Sequence, residues 1–272
     1  MGFTLGVYEK AMPNAISMKE KLIAAKAAGY DFLELSIDET DEKLERLHMG
    51  RAARNEFMRT VRDVELPIGS ICLSGQRRYP MGSSDPAIEK KSVEILLKAI
   101  MLAGDLGVRI IQLAGYDVYY EDSTLRTKEQ FIENLSYCTR KAAAEGVILG
   151  LETMENDFMN TIEKAMYYVK TIGSPYLQVY PDIGNVWNGT DHVTSDIRSG
   201  KGHIVAAHLK ETAPGIFRDM EYGEGQVDFK LAGKLLQEMG VTRFNAEFWY
   251  NGQENWKERL ISSKNKLLKA LT

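Results

Sequence analysis

Glu152, Asp182, His208 and Glu247 each close a short apolar run, and all four are side chains that bind divalent metal ions. The runs cover residues 147–152, 177–182, 203–208 and 243–247, so successive ends lie one strand–helix unit apart. In a barrel of alternating strands and helices, the strand C-termini converge on one mouth and would bring these side chains together. Three carboxylates so placed repel one another, and a divalent cation is the simplest neutraliser. Oxygen ligands with one imidazole suit Mn²⁺, Mg²⁺, Co²⁺ or Zn²⁺, and ligand type alone does not choose among them. Singly, each residue is ordinary, because an Asp after a strand usually caps a turn. Their repetition at four consecutive run ends is what points to a metal-dependent active site.

The elements that must position them alternate along the whole chain. A β-rich run at 3–8 precedes a helix opened by Ser17, which forms a capping box with Glu20. Gly29 ends that helix, and Leu33-Glu34-Leu35-Ser36-Ile37 then alternates apolar and polar residues as a strand does. One short and one long helix are expected around Gly50, followed by a strand at 67–73. Asp85-Pro86 opens another helix, with Ile88, Ile95, Ala99 and Leu102 on one face. A strand at 109–113 and a helix carrying Phe131, Leu135, Cys138 and Ala142 precede the four runs named above. Helices are expected near 160–171, Ser195, 227–239 and 254–271. Strict β-then-α order requires parallel strands joined by crossovers. The position after the first strand, Gly6-Val7-Tyr8-Glu9-Lys10, lacks the glycine-rich phosphate turn of a doubly wound sheet. The expected fold is therefore α/β, a (β/α)8 TIM barrel, as a single domain over residues 1–272. That length suits a fold that typically takes about 250 residues.

Composition removes several function classes. A net charge of −4 argues against a polyanion-binding surface, so no nucleic-acid partner is expected. No apolar stretch is long enough to span a bilayer and the N-terminus does not resemble a signal peptide, which gives a cytoplasmic expectation without membrane association. The sequons at Asn134 and Asn188 are then read as chance. Cys72 and Cys138 lack CxxC spacing and read as reduced, buried cysteines. His203 begins its run and so points to the opposite end of the barrel. With 4 histidines in all, the chain is too poor in imidazole for a trinuclear zinc nuclease site.

Four stretches carry a resemblance: Gly6-Val7-Tyr8-Glu9-Lys10-Ala11-Met12-Pro13, Gln112-Leu113-Ala114-Gly115-Tyr116-Asp117-Val118-Tyr119-Tyr120, Tyr180-Pro181-Asp182-Ile183-Gly184-Asn185 and Gly223-Glu224-Gly225-Gln226-Val227-Asp228-Phe229. They resemble the bacterial L-ribulose-5-phosphate 3-epimerases, also called L-xylulose-5-phosphate 3-epimerases, within the xylose isomerase-like barrels. The resemblance implies metal ligation by Glu152, Asp182, His208 and Glu247, the set already chosen from the strand ends. It also implies a homodimer, and Zn²⁺ or Mn²⁺ is the expected cofactor, ahead of Mg²⁺ and Co²⁺. One departure is Gly75-Gln76 before Arg77-Arg78, where members of that family carry a histidine.

Inverting C3 of a phosphorylated ketopentose needs one acid/base group on each face of an enediolate, and Glu152 and Glu247 are the expected pair. Arg77 and Arg78 are the first phosphate candidates, with Lys10 and Lys210 next. Glu34, Ser74, Gln76, Gln112, Lys210 and Glu211 are the expected substrate contacts near strand ends. The alternatives are a hexulose-6-phosphate aldose–ketose isomerase, an unphosphorylated ketose 3-epimerase and a non-enzymatic sugar- or metal-binding barrel.

Overall fold

The capping residues start their helices where the sequence places them. In the computed structural model, which describes residues 2–272, Ser17 accepts the amide of Glu20 while Glu20 returns to the Ser17 amide at 2.8 Å. Asp85 caps a helix with Pro86 in its first turn. The elements follow in the order β1 (Thr4–Tyr8), α1 (Met18–Ala27), β2 (Phe32–Ile37), α2 (Asp41–Glu45), α3 (Arg51–Val64), β3 (Ile68–Leu73), α4 (Pro86–Leu106), β4 (Ile110–Ala114) and α5 (Leu125–Ala144). Then come β5 (Ile148–Glu152), α6 (Ile162–Ile172), β6 (Leu177–Val179), α7 (Ile183–Gly189), α8 (Val193–Ser199), β7 (Ala207–Leu209), α9 (Phe229–Glu238), β8 (Arg243–Ala246) and α10 (Trp256–Leu271).

All strand pairs are parallel, in the order β6-β5-β4-β3-β2-β1-β8-β7. The ring closes between β6 and β7 through two isolated parallel bridges, Val179 with Ile204 and Asp182 with His208. The sequence expectation of one strand over 203–208 is corrected here. The turn at Gly200 and Gly202 (φ +83°) delivers the chain so that the backbone of 203–205 meets β6 at Val179 alone, and regular β7 begins at Ala207. The chain after Asp182 also forms two helices, α7 and α8, where one was expected.

The wall packs as the sequence periodicity requires. Phe131, Leu135, Cys138 and Ala142 are fully buried, as are Ala99 and Leu102 on the inner face of α4. The β2 alternation has the right parity, yet every residue from Phe32 to Ile37 is buried. A closed barrel leaves a strand no solvent face: the apolar set packs against helices while Glu34 and Ser36 fill the lumen.

Glu9, just after β1, is fully buried and receives Lys21 at 2.9 Å, Lys43 at 2.6 Å and Arg46 at 2.8 Å, together with the Ser36 amide at 3.0 Å. It fixes the segment that holds Tyr8 and Lys10 at the barrel mouth. Among the described residues, no helix is long and apolar enough to cross a membrane.

Candidate active site

Glu152 is the last residue of β5, and Asp182 follows β6 as the cap of α7, accepting the Asn185 amide at 2.8 Å. His208 is central in β7, and Glu247 directly follows β8, with its amide bonded to Leu209 O at 3.0 Å. Gly184 permits this convergence: a Cβ there would lie 2.5 Å from Lys210 O, too close for any other residue. One donor atom from each of Glu152, Asp182, His208 and Glu247 lies within 4.8 Å of the others, and all four residues are buried.

His208 Nδ1 faces this cluster, at 2.7 Å from Glu152 Oε1 and 3.3 Å from Glu247 Oε2. Lys210 Nζ sits 2.7 Å from Asp182 Oδ2 and donates to Asn185 Oδ1 at 2.8 Å. Burial raises the pKa values of Glu152 and Asp182. Burial also opposes the ionised form of Glu247, but the His208 and Lys210 charges outweigh it and hold that carboxyl below its ordinary value. For His208, burial disfavours the imidazolium, yet Glu34 and Glu247 outweigh it and hold its pKa well above the usual value.

The donor set fits a divalent cation. Glu247 Oε2 is buried and accepts no hydrogen bond, an orphan that a cation would satisfy. The Cys72 thiol is pushed up by burial and by the Glu34 and Glu152 charges, which leaves it protonated beside the site.

Above the cluster lies a pocket lined by Tyr8, Lys10, Ser74, Arg77, Glu152, Met154, Glu155, Asn185, Lys210, Phe217, Arg218, Glu247 and Trp249. Of the residues expected from sequence, Lys10, Ser74, Arg77, Lys210 and the two glutamates meet there. Arg77 stacks over the Tyr119 ring at 4.9 Å and donates to Tyr116 OH at 3.3 Å. A wider apolar groove of about 370 Å³ on the outer wall, lined by Ile23, Trp256 and Ile261, carries no such convergence; Glu20 there is engaged by its cap.

Five expected contacts lie outside the pocket. Arg78 turns to solvent and pairs with Asp41 at 2.8 Å, because adjacent residues of one tight turn point in different directions. Gln76 is buried with neither side-chain atom hydrogen-bonded. Gln112 donates its amide to Glu152 Oε2. Glu211 accepts the amides of Gly223 at 2.7 Å and Val227 at 3.2 Å, organising the loop before α9. Glu34 is fully buried beneath His208, 2.6 Å from its Nε2.

Sequence reasoning missed Tyr8, Asn185, Arg218 and Trp249 as lining residues. Asn185 stands three residues after Asp182, a helical spacing that shares a face and could have revealed it, whereas Trp249 lies past the end of β8. Arg218 lies in an irregular loop, where no periodicity exists to read.

Residues 22–267 match the family described as the xylose isomerase-like TIM barrel. The chain is 39% identical over 262 residues to an L-ribulose-5-phosphate 3-epimerase of Shigella sonnei, covering 96% of this chain and 92% of the relative. It is 42% identical over 252 residues to the enzyme of the same name from Escherichia coli strain SE11, covering 92% of this chain and 89% of the relative. Among solved structures, a D-psicose 3-epimerase shares the fold at TM-score 0.84 and 14% identity, covering 98% of this chain and 99% of that one. An L-ribulose 3-epimerase does so at TM-score 0.81 and 19% identity, covering 100% and 95%.

Proposed function

The chain belongs to the xylose isomerase-like TIM barrel family and within it to the L-ribulose-5-phosphate 3-epimerases, and from that membership we propose that it interconverts L-ribulose 5-phosphate and L-xylulose 5-phosphate at C3. It is an enzyme of the isomerase class. The observation that carries the proposal is the placement of Glu152 and Glu247, from β5 and β8 in a ring of eight strands, on one pocket over a shared donor cluster.

Glu152, Asp182, His208 and Glu247 would hold the cation, with Zn²⁺ or Mn²⁺ favoured. When bound, that cation supplies Lewis-acid polarisation of the ketose carbonyl and stabilises negative charge on its oxygens. One glutamate removes the C3 proton from one face of the sugar and the other returns a proton to the opposite face. Gln112 holds the Glu152 carboxylate in place. Lys210 balances the charge of Asp182 and keeps Asn185 against the pocket. Lys10 and Arg77 both line the pocket and are the cations suited to the phosphate, Arg77 through its forked donors. The space between the lining residues is about 50 Å³, room for a few waters.

Incubation with L-ribulose 5-phosphate in D₂O tests this reading. Deuterium at an inverted C3 supports it. An aldose product labelled at C2 would instead make the protein an aldose–ketose isomerase, and turnover confined to the unphosphorylated ketose would remove the phosphate assignment. Metal loss should abolish activity, and Mn²⁺ or Zn²⁺ should restore it. A homodimer belongs to the same reading and is checked by light scattering.

A further inference from the structure

We infer that Glu34 is a positioning residue that fixes the proton of His208 on Nε2, so that its Nδ1 lone pair faces the donor cluster. The inference rests on the metal-centre reading above and extends it to a residue that touches neither substrate nor cation.

Glu34 Oε2 lies 2.6 Å from His208 Nε2 and accepts Asn245 Nδ2 at 2.7 Å. Its Oε1 accepts Ser70 Oγ at 2.7 Å and Tyr180 OH at 2.9 Å. A carboxylate has about four acceptor positions, and all are filled here. None remains for a sugar hydroxyl, and Glu34 is fully buried. The Tyr180 ring also flanks the imidazole, with centroids 4.8 Å apart, so one side chain steadies both partners.

An imidazole that ligates a cation is neutral and carries one N–H, and the partner of one nitrogen decides the state of the other. Glu152 and Glu247 beside Nδ1 would by themselves attract the proton to that nitrogen and block ligation. Glu34, at 2.6 Å, competes for it from the far side of the ring. The same carboxylate makes the imidazole more basic toward a cation, as carboxylate–histidine pairs behind metal ions do.

The test is Mn²⁺ titration of the chelator-treated full chain, followed by electron paramagnetic resonance, with steady-state kinetics alongside. Glu34→Gln should weaken Mn²⁺ binding by about 10–100-fold, the range typical of such partners. Its KM for L-ribulose 5-phosphate should stay unchanged, and its kcat should recover at saturating Mn²⁺. Ser70→Ala, which removes one supporting hydrogen bond and no charge, should shift Mn²⁺ affinity the same way by less and guards against misfolding of the first variant. Unchanged Mn²⁺ affinity with a raised KM would overturn the inference in favour of a substrate contact. Unchanged affinity with only a lower unfolding temperature would overturn it in favour of a packing role. Failure of the unaltered protein to bind Mn²⁺ or Zn²⁺ would remove the metal-centre reading itself.

Discussion

Gln112 on β4 donates its side-chain amide to Oε2 of Glu152 on β5, so one oxygen of the proposed base is occupied and only the other is free to turn toward His208. A hydrogen bond to a charged group contributes about 1.5–3 kcal/mol. Gln112→Ala should therefore lower kcat by roughly 10–100-fold, with KM little changed, in a steady-state epimerase assay.

Glu152→Gln and Glu247→Gln should each lower turnover by about 10²–10⁴-fold or more, with circular dichroism unchanged. A sharper signature comes from proton exchange. Each variant keeps one competent face, so each should wash deuterium from C3 of one epimer only, and the two should choose opposite epimers. Equal loss of exchange from both epimers in both variants would rule out the two-base assignment.

Arg77→Ala should raise KM for the phosphorylated sugar by about 10–100-fold, the worth of a charge-assisted hydrogen bond, and leave the unphosphorylated ketose unaffected. Arg78→Ala, at a solvent-facing side chain paired with Asp41, should change either value by less than about two-fold. Competition by inorganic phosphate reads the same difference directly.

Glu9 gives a pH prediction. Burial pushes its pKa up, but the hydrogen bond and charge of Arg46, with Lys21 and Lys43, outweigh that and hold it well below the ordinary carboxylate range. A depressed folded pKa stabilises fully above the unfolded value, near about 4.3, and the contribution fades as pH falls from there through the folded value. Glu9→Gln should lower stability by about 3–5 kcal/mol at neutral pH, because it strands buried cations. Its unfolding temperature should then fall less steeply than that of the unaltered protein between pH 5 and about pH 3, as differential scanning calorimetry would show.

The barrel and its donor cluster were legible because both follow periodicities: strand–helix alternation sets the ring, and run ends set the mouth. Glu34 shows where that reading stops. Its parity correctly turned it into the lumen, but parity does not say whether a lumen carboxylate meets a sugar or another side chain. Arg77 and Arg78 are chemically alike and adjacent, and only the turn geometry after β3 sends one to Tyr116 and the other to Asp41. The Glu9 cluster joins the turn after β1 to α1, α2 and the turn after α2, a long-range pairing with no local sequence signal.

The joint between β6 and β7 carries a last consequence. It is held by isolated bridges, and Asp182 and His208 stand on its two lips. An ion gripping both side chains would act as a rivet in the wall as well as a reagent at the mouth. Amide exchange over 177–182 and 203–209 should then slow sharply when Zn²⁺ is supplied, while β2 and β3 change little. Cofactor supply and the mechanical soundness of the cylinder would be one and the same quantity.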